Sequence, residues 1–177
     1  LLRRLIQWRR PDIYVDVLRP IRVRRDSFLN KEREFSRHLA LAAQKCGKDG
    51  LVLVLLDADD ACPKVLGSAL ATRMGHEVSD VRVGAVLANR EYEAWFIAAA
   101  SSLHGHHGFQ CPDADAHDPE GPRDAKGWVK ARTGTRRYDP IIDQPAFSAL
   151  MDLDLAYARS RSFRKLCSEL DRFLNTL

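Results

Sequence analysis

Residues 51–60 have the sequence LVLVLLDADD, in which six aliphatic residues run directly into a cluster of acids. A continuous apolar run of this length, bounded by Gly50 and Asp57, indicates a strand buried on both faces of a sheet. Residues 81–88 have the same character and predict a second strand. Helical periodicity alternates with these strands, so we expect an α/β fold: an open, mainly parallel sheet flanked by helices. The helices are predicted at residues 31–46, 63–74 and 90–103.

Further helices and a strand are predicted on both sides of this alternation of strands and helices. A helix is predicted over residues 1–8 and a short strand at Ile13–Leu18. After residue 103 the chain becomes helical, with an apolar stripe along its last helix. A length of 177 residues suits one domain. We therefore expect a single domain over 1–177, with a sheet core over about 1–103 and a helical C-terminal part over about 104–177. The later helices are predicted at residues 123–132, 144–159 and 162–177.

Composition excludes several classes of protein. Hydrophobic residues make up 45% of the chain and charged residues 29%, which is ordinary globular usage and excludes disordered and collagen-like chains. No apolar run approaches 18 residues, so no transmembrane helix is predicted. The net charge of +4 is unevenly spread. Residues 1–37 carry 11 Lys and Arg against 5 Asp and Glu, residues 38–122 carry 6 against 12, and residues 123–177 carry 11 against 7.

The cysteines are widely spaced and form no CxxC motif. We expect reduced thiols and a cytoplasmic protein. One cysteine, Cys111, lies in a loop over residues 104–122 with four histidines, but their spacing fits no standard zinc site. A loop with incidental imidazoles is the favoured interpretation. These histidines are His104, His106, His107 and His117.

Asp57 and Asp59 follow the first strand at its carboxyl end, which is where open α/β sheets bind ligands. Side chains alternate along an extended segment, so the two carboxylates are expected to point the same way. Adjacent carboxylates repel each other unless a cation neutralises them, and Mg²⁺ is often held by one or two carboxylates. The sequence predicts a Mg²⁺ (or Mn²⁺) site here. The alternative is a solvated turn over residues 57–60 that caps the next helix.

Glu91 and Glu93 follow the second strand, and adjacent parallel strands bring one or both near Asp57 and Asp59. Residues two apart do not share a helix face. One glutamate is therefore expected to face the metal while the other binds Arg90 or a helix N-terminus. The alternative is that both only complement the dipole of the helix that they begin. On the first interpretation these four acids are the metal ligands, and Asp57, Asp59 and Glu93 are catalytic.

Basic residues lie on both sides of the acidic middle. They are candidates for binding the phosphates of nucleic acid, which makes the affinity salt-dependent; a solvated charged surface explains them equally well. Lys165 is a further catalytic candidate, because a cation there can support a transferring phosphate; otherwise it is an exposed residue on the last helix. The nucleic-acid candidates are Arg22, Arg24, Arg25, Lys126, Arg136 and Arg137.

Five segments occur in an order that resembles the DUF4276 family of bacterial proteins of unknown function, over nearly the whole chain. They are LVLLDADDACP (53–63), VLANREYEAWF (86–96), DAKGW (124–128), DQPAF (143–147) and SRSFRKL (160–166). The resemblance implies a Toprim-like core, a setting beside ATPases similar to the overcoming-lysogenization-defect (OLD) class, and a role in phage defence.

The resemblance also implies a metal site. Toprim domains hold Mg²⁺ with a glutamate after an early strand and a DxD after a later one, and Asp57 and Asp59 match the DxD. The early glutamate has no match, and we expect it on a strand upstream of Leu1. The expected function is phosphodiester cleavage of nucleic acid by a Mg²⁺-dependent nuclease. The alternative is a non-catalytic module that binds an ATPase or forms a homo-oligomer.

Overall fold

The structure is a computed structural model that describes residues 1–113, 118–134 and 137–177. Within these ranges the chain forms ten helices and two strands. In chain order they are α1 (Leu2–Arg9), α2 (Arg25–Asn30), α3 (Glu32–Cys46), β1 (Leu51–Asp57), α4 (Pro63–Glu77), β2 (Arg82–Ala88), α5 (Ala94–Ala98), α6 (Ala100–Leu103), α7 (Ala125–Ala131), α8 (Pro140–Leu150), α9 (Leu153–Arg159) and α10 (Arg161–Leu174).

The two predicted strands pair in parallel. Their register runs from Leu51 opposite Arg82 to Asp57 opposite Ala88, so both carboxyl ends lie at the same edge of the sheet. The connection between them is α4, which begins at Pro63, a residue suited to the first turn of a helix. The predicted α/β class, the parallel sheet and the flanking helices are confirmed.

Alternate residues of β2 enter two separate apolar clusters, one on each face of the sheet. Val86 and Ala88 pack with α1, α5 and α10, while Ala85 and Leu87 pack with α3 and α4. β2 is therefore buried on both faces. β1, the strand predicted to be buried on both faces, is covered less completely, since Val52 and Leu56 are its buried residues and both belong to the cluster beside α3 and α4.

The helical C-terminal part is also confirmed. α10 buries an apolar face against β2 and α9. Its predicted stripe holds as far as the end of the helix, and Leu177 beyond it is 59% exposed. The buried members of the stripe are Phe163, Leu166, Cys167, Leu170, Phe173 and Leu174.

The predicted strand at Ile13–Leu18 is wrong. The segment alternates as a strand does, with Val15 and Val17 packed on the core and Tyr14 90% exposed. It pairs with neither β1 nor β2, and without a ladder an alternating pattern gives only an extended segment. α2 is a helix that the sequence did not predict.

Two predicted helices are interrupted. The helix expected from residue 90 begins at Ala94, because a turn precedes it. The helix expected over 144–159 starts earlier, at Pro140, and divides into α8 and α9, where Asp152 caps the second piece.

Among the described residues, none of the helices combines the length and hydrophobicity that a bilayer crossing requires.

Candidate active site

A cleft opens where the two strands end. The loops after β1 and β2 are tied together there, because the Ala58 N–H donates to the Ala88 carbonyl and the Asp59 N–H to the Arg90 carbonyl, both at 2.9 Å. The cleft has a volume near 510 Å³. It is lined by Val23, Arg25, Leu55, Leu56, Asp57, Asp59, Tyr92 and Gln144.

Asp57 is the last residue of β1, and its carboxyl is mostly buried beneath the cleft. Its Oδ1 accepts the Tyr92 N–H at 2.8 Å. The pKa of Asp57 is raised from 3.8 to about 6, mainly by burial; the Tyr92 hydrogen bond opposes this rise and the charge of Glu93 adds to it. A carboxyl with a pKa near neutrality in a cleft is typical of a functional site, although structural ion-pair networks also produce such shifts.

Asp59 lines the same cleft, but its direction is not set by the strand alternation on which the prediction was based. Its φ of +50° ends the extended conformation, so strand alternation does not set its direction. Its Oδ2 lies 3.3 Å from Arg25 Nε, and its side chain is 56% exposed. The next acid, Asp60, bridges Arg90 and Arg123 at 2.8 and 2.6 Å. The exposed acids of this loop are therefore paired with arginines.

Glu93 is completely buried. Its Oε1 accepts two neutral donors at 2.9 Å, the Tyr138 hydroxyl and the Gln144 amide. Its Oε2 is buried and accepts no hydrogen bond from the described residues. A buried carboxylate oxygen without a donor is costly, so this atom points to a ligand that the protein itself does not supply.

Glu91 binds the N-terminal end of α7. Its Oε2 accepts the Lys126 N–H at 2.8 Å, in the first turn of α7, and its Oε1 lies 3.6 Å from Lys126 Nζ. Burial lowers the pKa of Lys126, but the carboxylates of Glu93, Glu91 and Asp57 outweigh burial and raise it. Lys126 is thus a protonated cation beside three acids, rather than part of an open basic surface.

The remaining basic candidates are dispersed. Arg25 donates to the carbonyls of Asp57 and Ala58 at 2.8 and 3.1 Å, so its guanidinium holds the end of β1 in place. Arg22, Arg24 and Arg137 are exposed, and Arg136 lies outside the described residues.

Lys165 pairs with Glu169, a buried acid that also binds Arg172. Glu169 lies next to Gly84 near the start of β2, away from the carboxyl end. Lys165 is not among the residues that line the cleft.

In the described part of the chain, no three His, Cys, Asp or Glu side chains are arranged to hold a metal ion together. His104 Nδ1 accepts the Cys111 N–H at 2.9 Å, and His117 lies outside the described residues. Asp57 and Glu93 remain as two carboxylates. Such a pair fits Mg²⁺, which commonly takes one or two carboxylates together with waters and substrate phosphates.

Sequence reasoning missed two site residues, Tyr138 and Gln144. Gln144 belongs to the DQPAF segment, which contributes to the family resemblance. That segment alone suggests no role for the residue. Tyr138 stands alone before α8, and no local pattern distinguishes it.

One family model matches the chain: the domain of unknown function DUF4276, over residues 4–171. Comparisons with curated proteins and with solved structures find no match.

Proposed function

The chain belongs to the DUF4276 family, and starting from that membership we propose that it is a Toprim-type, Mg²⁺- or Mn²⁺-dependent nuclease that cleaves phosphodiester bonds. The family description names no activity, so the proposal depends on the chemistry of the chain's own residues. We further propose a cytoplasmic protein that acts with an OLD-like ATPase in phage defence, as the family resemblance suggests.

The observation that supports this proposal is the donor-free Oε2 of Glu93. Two neutral donors, the Tyr138 hydroxyl and the Gln144 amide, occupy its Oε1. Burial is the main cause of the raised pKa of Asp57, and the charge of Glu93 contributes to it, so the two carboxyls lie near each other. A buried carboxylate oxygen without a donor, beside a second and mostly buried carboxyl, is a natural site for a divalent cation.

The residues have distinct roles in this proposal. Asp57 and Glu93 would hold the cation, and a bound cation would supply a Lewis acid for the phosphate and an activated water. Lys126 is protonated and offers a second positive charge beside the site. Arg25 holds the loop that follows β1 through the Asp57 and Ala58 carbonyls, and Asp59 lies beside its guanidinium.

Nucleic acid is the proposed substrate because of the residues that lead to the cleft. Arg22 and Arg24 are exposed, while Val23 between them lines the cleft. Two residues along an extended chain are about 7 Å apart and share a face. Such a pair can contact successive phosphates of a strand whose scissile bond lies over Asp57.

The test is cleavage of labelled DNA and RNA, single- and double-stranded, by the protein with Mg²⁺, Mn²⁺ or EDTA. Wild type is expected to cut with metal and not with EDTA. The variant carrying Asp57→Asn and Glu93→Gln keeps the side-chain shapes and is expected to lose cleavage. Equal cleavage by both proteins would sink the proposal, as would no cleavage of any substrate with either metal or with a partner ATPase.

A second candidate is a non-catalytic module that binds an ATPase or a second copy of itself. Ile141 and Ile142 favour it, since they are adjacent on α8 and are 67% and 58% exposed. Co-purification that is abolished by Ile141→Ser with Ile142→Ser, while Asp57→Asn leaves it intact, would support this candidate.

A further inference from the structure

We infer that Tyr138 and Gln144 are positioning residues, which hold Glu93 by one oxygen and present its other oxygen to a divalent cation. This inference rests on the proposed function and adds to it the residues that orient the cation ligand.

The geometry shows how firmly Glu93 is held. Its backbone starts α5, where its carbonyl accepts the N–H groups of Phe96 and Ile97 at 2.9 and 3.1 Å. Its side chain is anchored from another part of the chain, by Tyr138 just before α8 and by Gln144 within it. Backbone and carboxylate are therefore fixed by different elements.

The chemistry of the two donors matters as much as their position. An arginine or lysine bonded to Oε1 would neutralise Glu93 and weaken it as a ligand. Tyr138 and Gln144 carry no charge, so they restrict the rotation of the carboxylate without pairing a cation to its Oε1.

The position of Gln144 links this arrangement to the site. Its side chain lines the same cleft as Asp57, and its amide reaches the buried Glu93 at 2.9 Å. Groups that bond to a metal ligand in this way orient it, and their loss typically weakens metal affinity about 10- to 100-fold.

The selectivity for Mg²⁺ over Ca²⁺ distinguishes a misplaced Glu93 carboxylate from a general loss of packing around the site. Mg²⁺ demands near-ideal geometry, whereas Ca²⁺ accepts irregular coordination. A carboxylate released from its two donors should therefore lose affinity for Mg²⁺ more than for Ca²⁺. A variant that is merely less well packed would not change this ratio.

The experiment is isothermal titration calorimetry of the protein with Mg²⁺, Mn²⁺ and Ca²⁺. The variants are Tyr138→Phe, which removes only the hydroxyl, and Gln144→Leu. Tyr157→Phe is the matched control, because Tyr157 packs on Trp8 through its ring. Circular dichroism and the urea unfolding midpoint establish that each variant is folded.

We expect Tyr138→Phe and Gln144→Leu each to weaken Mg²⁺ binding about 10- to 100-fold, with a smaller loss for Ca²⁺ and no change in Tyr157→Phe. Wild-type affinity in both variants would overturn the positioning role while leaving the proposed cation site intact. Equal losses for Mg²⁺ and Ca²⁺ would also overturn it. No binding of any cation by the wild type would overturn the proposed function and the inference together.

Discussion

The buried carboxyl of Asp57 makes Asp57→Asn a quantitative test of the site. Burial raises the pKa of this group from 3.8 to about 6. Between these two values the folded protein retains a proton that the unfolded chain has released. The free energy of unfolding therefore falls as the pH rises from 3.8 to about 6. The stability that the retained proton contributes is lost in full above the folded pKa. The difference corresponds to about 3 kcal/mol.

Asp57→Asn removes this titration and keeps an oxygen that can accept the Tyr92 N–H. Without metal, the variant should match the wild type near pH 4 and exceed its free energy of unfolding by up to about 3 kcal/mol at pH 8. Urea unfolding in EDTA at a series of pH values from 4 to 8 measures this difference directly.

Asp59→Asn is the matched control for this measurement. Its side chain is 56% exposed and lies beside Arg25, so the substitution should change the free energy of unfolding by less than about 0.5 kcal/mol at every pH. The reasoning would be refuted if Asp57→Asn gave a gain that did not depend on pH, or if it destabilised the protein at pH 8.

Three further substitutions probe the surroundings of the site. Lys126→Met removes a charge that lowers the pKa of Asp57, so the carboxyl resonance of Asp57 should titrate at higher pH by ¹³C NMR; an unchanged midpoint would contradict their coupling. Phe147→Ala should cost about 3–5 kcal/mol in urea unfolding, because Phe147 is fully buried; a loss below 1 kcal/mol would contradict this packing. Asp124 caps α7 by accepting the Gly127 N–H at 2.7 Å. In Gly127→Ala the new Cβ would clash with the Asp124 carboxylate, so the cap should be lost at a cost of about 1 kcal/mol, whereas unchanged thermal unfolding would show that the cap survives.

The sheet could be predicted because its signal is local. LVLVLL and the apolar run that ends at Ala88 are each long enough to indicate a strand without knowledge of its neighbours, and they pair as expected. Ile13–Leu18 shows the limit of that reasoning. Alternation of burial is present there, but a strand also needs a partner, and a local sequence does not reveal whether one is available.

Part of the site follows from topology. Parallel strands bring their carboxyl ends to one edge, and this places Asp57 close to the acids that follow β2. The different roles of Glu91, which binds the start of α7, and Glu93, which is held from α8, could not be predicted, because they depend on how these two helices pack. Lys126 donates its N–H to Glu91, and Gln144 reaches Glu93 from 51 residues away in the chain. Such contacts are fixed by tertiary packing rather than by spacing along the sequence.

Whether a cation occupies this cleft is best decided by anomalous X-ray diffraction from crystals of the protein soaked in Mn²⁺. We predict a manganese peak in contact with the carboxylates of Asp57 and Glu93, and its absence from crystals of the Glu93→Gln variant. A map without a peak at these two residues, at a Mn²⁺ concentration that labels other sites on the protein, would contradict the proposed metal site.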